Sequence, residues 1–370
     1  MPSKSSFNRR VAAILLAATC APWIPLHAQV AAPSSGAGAP APAPAMGPFV
    51  KAEAEAVVRE LATQIEDNFV FPDVAKKYAA MLRANLSAGK YASFADADAF
   101  AKAVTDDLQA VHSDRHLRLH PPRPGAGSGP RMRRTMPTDI NPISKSGWLA
   151  DGVAYIRFEL FPGSDASIGA LKSFLDTHKD AKTLIIDART HRGGGLDEMD
   201  LLFPQLFDKP TYLVGMDTRV AVEQRRGSPV AGQPSLRKVS GPDGVVRREH
   251  WVTPAAQQTG LSKARVYLLT SKRTGSAGEH LSLSLKRTKR ATLIGEATAG
   301  AGHYGGIIPL GHGYAAFIPV GRTFDPDTNQ GWEGTGVKPD VEVPADKALD
   351  EALKLAGVNK TAEVALAELR

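Results

Sequence analysis

Apolar residues recur along this chain with two periods, and the switches between them divide it into elements. Val57, Val58, Leu61, Ile65 and Phe69 fall at helical spacing and stop before Pro72. Val74, Tyr78, Leu82 and Leu86 form a second stripe ending near Gly89, and Phe100, Val104, Leu108 and Val111 a third. Three amphipathic helices are therefore expected, making a small helical domain over residues 50–120. Alternation takes over at Leu117-Arg-Leu-His120 and again at Gly152-Val-Ala-Tyr-Ile-Arg-Phe158. Ile168, Leu171, Phe174 and Leu175 return to the helical period. Thr183-Leu-Ile-Ile-Asp187 is then a short, unbroken apolar run of the kind found in a sheet covered on both faces. Strand, helix and strand in that order predict a βαβ unit, so residues 146–356 are expected to form an α/β core. Between Tyr212 and Thr259 short β-like runs (Arg219-Val-Ala-Val222, Val245-Val246, Trp251-Val252) alternate with Gly/Pro turns, which predicts a β-rich flap. Two short helical stripes, Leu349/Leu353 and Ala362/Leu366, close the chain, the second in a tail over residues 357–370.

The period changes most sharply around one serine. Arg265 to Thr270 reads as a buried strand, a polar turn follows, and Ala277, Leu281 and Leu285 then fall four apart. Ser276 thus stands at a strand–turn–helix corner, beside a helix N-terminus. Free backbone N–H groups and the helix dipole favour negative charge there. An attacking serine and a tetrahedral oxyanion are both anionic, so the corner suits a nucleophile. A serine at a helix start is more often a plain N-cap, and local sequence alone does not separate the two.

Composition narrows the class. The chain has 370 residues and is 43% hydrophobic, enough for a sizeable core. Its net charge is +7, of which Lys4, Arg9 and Arg10 supply three; the remaining +4 (7 − 3) is mild, and no basic run is interleaved with aromatics, so nucleic-acid binding is not implied. Residues 1–28 read as a signal peptide: a basic start, an apolar run over Val11–Ala21, and Leu26-His-Ala28 as the cleavage site. An exported, periplasmic or secreted protein is expected. Cys20 is the single cysteine, and Thr19 before it fits a lipoprotein signal badly, so no membrane tether is expected. Cleavage after Ala28 would leave no thiol, which excludes cysteine catalysis. Residues 29–49 and 121–145 are Ala/Pro- and Pro/Gly-rich linkers. Metal-ligand spacing and phosphate-binding motifs are absent, so neither metal nor cofactor is expected.

Three ordered runs carry a family resemblance: Thr274-Gly-Ser-Ala-Gly-Glu279, Ala291-Thr-Leu-Ile-Gly-Glu-Ala-Thr-Ala-Gly300 and Gly334-Thr-Gly-Val-Lys-Pro-Asp340. With their spacing they resemble the carboxyl-terminal processing (tail-specific) proteases. The likeness is closer to the branch of the tricorn core protease and the repeats of interphotoreceptor retinoid-binding protein. It spans Lys51 to Ala356. It implies a crotonase-like α/β core behind an N-terminal helical domain, and an exported serine endopeptidase acting on polypeptide or peptide substrates. The PDZ domain many relatives carry is expected to be absent, because about 30 residues between Leu119 and the next strand are too few for a domain.

The resemblance also implies site residues. Asp114-Arg-His116-Leu117 is similar to the Asp-x-His-Leu motif that supplies the catalytic histidine in the tricorn-like branch, although Arg115 stands where the family most often has glycine. His112 and His120 are the nearby alternatives. Asp187-Ala-Arg-Thr-His-Arg-Gly193-Gly-Gly resembles the family's oxyanion segment. It offers the amide of Gly194, or else Gly193, with a second donor at Ala277 or Ser276. The lysine base of tail-specific proteases falls, counting from Ser276, at Ala301 and is missing. That favours a histidine base, His116, oriented by Glu333. His303 lines the site or serves as the base instead, while Glu279 and His280 read as local caps. A non-catalytic ligand-binding protein and a small-ester hydrolase are the rival readings on the same fold.

Overall fold

The computed structural model describes residues 49–122 and 140–370; the expected signal peptide, all but the last residue of the first linker and most of the second lie outside them. The three predicted helices are α1 (Lys51–Asn68), α2 (Pro72–Ser87) and α3 (Ala97–Val111). Pro72 both stops α1's continuation and starts α2, where its missing N–H costs nothing. Asp96 caps α3 by accepting the Ala99 N–H at 2.8 Å. The apolar stripes face one another and also a sheet: Leu61, Ile65, Tyr78, Leu82, Phe100 and Leu108 share a core with Leu119, Ile308, Tyr314, Ala316 and Ile318.

That sheet is antiparallel. It takes strands β1 (Arg118–His120), β5 (Thr211–Arg219), β6 (Leu236–Val239), β7 (Val245–Val252), β10 (His303–Gly311) and β11 (Tyr314–Phe324). Its order is β1-β11-β5-β7-β6, with β10 also paired to β11. The second sheet runs β12-β9-β8-β4-β3-β2, from strands β2 (Ile143–Ala150), β3 (Val153–Phe158), β4 (Thr183–Asp187), β8 (Arg265–Thr270), β9 (Thr292–Gly295) and β12 (Val341–Glu342). Its pairs are parallel except β2 with β3. Helix α4 (Asp165–Thr177) joins β3 to β4 as the expected βαβ unit.

Between the sheets lies a core that includes α5 (Asp197–Leu206) and α7 (Ala277–Arg287). Leu281 and Leu285 of α7 are fully buried against it, each worth about 1.5–3 kcal/mol. Helices α8 (Ala348–Ala356) and α9 (Ala362–Ala367) cover the parallel sheet's other face. No helix among the described residues is long and apolar enough to cross a membrane.

Two local expectations change. Arg219-Val-Ala-Val222 is not a strand: α6 spans Val220–Arg226. Arg219 donates to the carbonyls of Glu66 and Phe69 at the end of α1, and Arg225 to that of Asp67. Such anchoring outweighs the β preference of two valines. The stretch expected to be linker up to residue 145 ends in β2, an edge strand whose polar start reflects solvent on that side.

Candidate active site

Ser276 sits where β8 turns into α7, and its backbone is strained: φ is +54° and ψ −114°. That conformation costs a non-glycine residue about 1–3 kcal/mol. It is the kind of strand-to-helix elbow that lifts a serine hydroxyl out of the fold. Several bonds hold it in place. Thr274 Oγ1 donates to the Ala188 carbonyl at 2.8 Å, Ser271 Oγ to that of Arg189 at 2.6 Å, and the Gly275 N–H to that of His191 at 2.9 Å. The serine turn is thereby stitched to the loop after β4.

Glu279, one turn into α7, is fully buried and gathers four donors. Its Oε2 accepts the N–H groups of Ser276 and Ala301, each at 2.8 Å, and its Oε1 accepts Thr298 Oγ1 and the Gly300 N–H, each at 2.6 Å. Burial raises its pKa while these donors oppose the rise. The residue expected as a local cap thus couples the serine corner to the loop that leads into β10.

The glycine segment lies against the serine. A Cβ on Gly193 would come within 2.9 Å of Ser276 Cβ, and one on Gly194 within 2.0 Å of the Phe161 carbonyl oxygen. Asp187 anchors this segment, accepting from Arg189 Nη2 and from the Tyr155 hydroxyl, both at 2.7 Å. The backbone bonds separate the expected oxyanion donors. The Gly193 N–H donates to His191 Nδ1 at 3.1 Å, and the Ser276 N–H is taken by Glu279. The amides of Gly194 and Ala277 have no acceptor among the described residues, and both residues line the cavity. His191, a residue of the glycine motif to which its sequence context assigns no role, is wholly buried. Burial drives its pKa to about 3, so it is a neutral ring with Nδ1 free to accept.

The cavity measures about 230 Å³, and Ser276, Ala277, Ala301, His303 and Trp332 share its wall. Ala301, at the missing lysine, brings no amine to that wall. His303 is 7% exposed, and its Nδ1 lies 2.7 Å from Asp114 Oδ2. Asp114 is fully buried and also accepts the N–H groups of His116 and Leu117. Burial works to raise its carboxyl, but the bond and charge of His303 with those two amides hold it below the usual range. Glu333 accepts the N–H of Arg115 at 2.7 Å, of Gly302 at 2.6 Å and of His303 at 3.1 Å. Burial and the nearby Asp114 charge raise its pKa.

His116 takes a different place. Its ring stacks on Phe317 with centroids 5.0 Å apart, and it does not line the cavity. The structure thus brings Ser276, His303, Gly194 and Ala277 to one cavity, with Asp114 directly behind His303 and Glu333 beside them. Donor atoms of Asp114, His303 and Glu333 lie within 4.8 Å of one another, close enough to hold a metal ion, although His303 Nδ1 is already bonded to Asp114.

Comparisons with known proteins agree with this architecture. The model of peptidase family S41 matches residues 152–343, and that of the N-terminal domain of peptidase S41 in eukaryotic IRBP matches residues 49–143. A chloroplastic C-terminal processing peptidase of Tetradesmus obliquus is 26% identical over 259 residues, 65% of this chain and 48% of that protein. The chain therefore spans about half the length of that curated relative. A protein from Parabacteroides merdae, solved as a candidate peptidase, superposes with a TM-score of 0.53 at 16% identity, covering 85% of this chain and 96% of that one. A lipoprotein from Streptococcus agalactiae does so with a TM-score of 0.52 at 15% identity, covering 82% and 95%. These two share the fold.

Proposed function

This chain belongs to peptidase family S41, and on that premise we propose that it is a serine endopeptidase whose general base is His303. The observation that carries the reading is the shared cavity wall: Ser276, in a strained elbow, and His303, backed by Asp114 at 2.7 Å, with two unused amides beside them. In the proposed reaction Ser276 Oγ attacks the carbonyl carbon of a peptide bond. His303 Nε2 takes the hydroxyl proton while Asp114 fixes the other ring nitrogen as the donor and stabilises the imidazolium. The oxyanion is met by the amides of Gly194 and Ala277. His303 then passes its proton to the leaving amine, leaving an acyl-enzyme on Ser276. Water, deprotonated by His303, attacks the ester, and the proton returns to Ser276 as the acid product leaves. Glu333 supports the loop by holding the amides of Arg115, Gly302 and His303.

Polypeptide or peptide segments are the proposed substrates, consistent with the family. Export is proposed from the signal-like residues 1–28 alone; N-terminal sequencing of protein recovered from the periplasm or medium, reading Gln29 first, is the expected result.

The test of the reaction is hydrolysis of an unfolded polypeptide, with mapping of the residue that a fluorophosphonate modifies. The reading expects a phosphonyl adduct on Ser276 and loss of hydrolysis in Ser276→Ala. A folded wild-type protein that neither cleaves nor labels would overturn it and favour a binding protein on this fold.

A further inference from the structure

A second histidine reaches the same cavity from the opposite side of the mechanism. His280, one turn after Ser276 on α7, is 4% exposed and lines the wall. Its Nε2 lies 2.8 Å from Nδ1 of His250, which is fully buried on β7. His250 Nε2 in turn lies 3.0 Å from Asp200 Oδ1, and Asp200 Oδ2 accepts Ser235 Oγ at 2.8 Å. The serine mechanism uses none of these groups.

With His250 neutral, the direction of every bond in this chain follows. A carboxylate oxygen only accepts, so His250 Nε2 carries its proton. A neutral ring has one N–H, so His250 Nδ1 accepts, and His280 Nε2 must donate to it. One proton is then spent on His280, and its Nδ1 is left with a lone pair. No protein group bonds that nitrogen among the described residues. Burial pushes the pKa of His280 well below the usual value, so its ring stays neutral.

We propose that His280 is a specificity-determining residue of the cavity, its Nδ1 accepting a hydrogen bond from a neutral amide or hydroxyl side chain of the substrate next to the scissile bond. His250 and Asp200 are positioning residues that hold the tautomer. The rest of the wall selects against charge: among the described residues no Asp, Glu, Lys or Arg lines the cavity, and Leu196, Met216, Val230 and Trp332 make much of it apolar. A lysine or arginine side chain would be desolvated there without a carboxylate to pair with, at a cost a neutral donor avoids. This inference rests on the peptidase reading and adds to it a substrate class.

The test uses peptides matched except at one residue, scanned over the two positions on each side of the scissile bond: Gln against Met, Ser against Ala, and Lys. Fluorophosphonate labelling of Ser276 counts working sites in every protein compared. At one position the wild type is expected to favour Gln over Met by about ten-fold in kcat/KM, the worth of one net hydrogen bond, and to disfavour Lys. His280→Leu should bring that ratio to near one. His280→Gln, which keeps an acceptor, should retain part of it, and His250→Phe, which frees the tautomer, should lower it. A purely structural role for His280 would not move the ratio. Equal use of Gln and Met by labelled wild type, a preference for Lys, or an unchanged ratio in labelled His280→Leu overturns the inference. Should His280→Leu fail to fold, the ratios of wild type and His280→Gln decide it. A wild type that neither labels nor cleaves overturns the peptidase reading itself, and this inference with it.

Discussion

Two histidines face one cavity, each backed by an aspartate, yet their chemistry differs because of what touches each ring. His303 meets Asp114 directly at 2.7 Å. The Asp114 carboxylate therefore stands where the proposed reaction needs a charge to stabilise an imidazolium. His280 meets another imidazole first, and Asp200 stands one ring further away. A second proton on His280 would lie in a buried site with the carboxylate a ring away, and burial pushes its pKa down. In the proposed reaction, therefore, one aspartate–histidine chain supplies the base and the other only an acceptor. Buried contact, rather than the presence of both residue types, decides basicity.

Breaking the first chain should cost most. Asp114→Asn removes the charge that stabilises imidazolium and allows the wrong tautomer, so kcat/KM on an unfolded polypeptide should fall on the order of 10³–10⁴-fold. Some stability is lost too, because Asp114 also holds the amides of His116 and Leu117. Gly194→Ala comes next. Its Cβ would meet the Phe161 carbonyl at 2.0 Å at a φ of +139°, so the amide must turn away from the cavity. A loss of roughly 10²–10³-fold in kcat is expected, the worth of one oxyanion donor.

A smaller effect sharpens the contrast through acid stability. The native pKa of His191 is about 3, whereas a histidine in the unfolded chain titrates near about 6.5. Between these values the unfolded state binds a proton that the native state does not, so stability falls as pH falls. His178 and His280, also lowered by burial, act in the same direction. The raised carboxyls of Glu198, Glu279 and Glu333 oppose them. The melting temperature should drop from pH 7.5 to pH 5, and His191→Gln should flatten that slope. The smallest effect expected is none: treatment with EDTA should leave hydrolysis unchanged, since His303 Nδ1 serves Asp114 and the proposed reaction uses no metal.

What the sequence makes legible is what is local. The helical stripes, the βαβ unit and the Ser276 corner rest on spacing within one element, and each is found where its period places it. Helix α6 is not legible, because its valines read as strand and arginine bonds to α1 decide the outcome. Strand β2 hides for a related reason, since its first half is as polar as a linker. The choice of base is the larger case. The Asp-x-His motif points to His116, but the aspartate side chain reaches His303 across 189 residues while His116 stacks on Phe317. No local pattern shows which histidine an aspartate will meet. His250 and Asp200 give no signal at all, being an ordinary strand histidine and an acid in the first turn of a helix.

The identity of the base is tested by the second-order rate of fluorophosphonate labelling of Ser276. Wild type, His303→Ala and His116→Ala would be compared at one pH, each with its melting transition checked. A loss on the order of 10³-fold or more is expected in His303→Ala and a change of a few-fold at most in His116→Ala. The reverse pattern, labelling lost with His116 and kept without His303, would contradict His303 as the base.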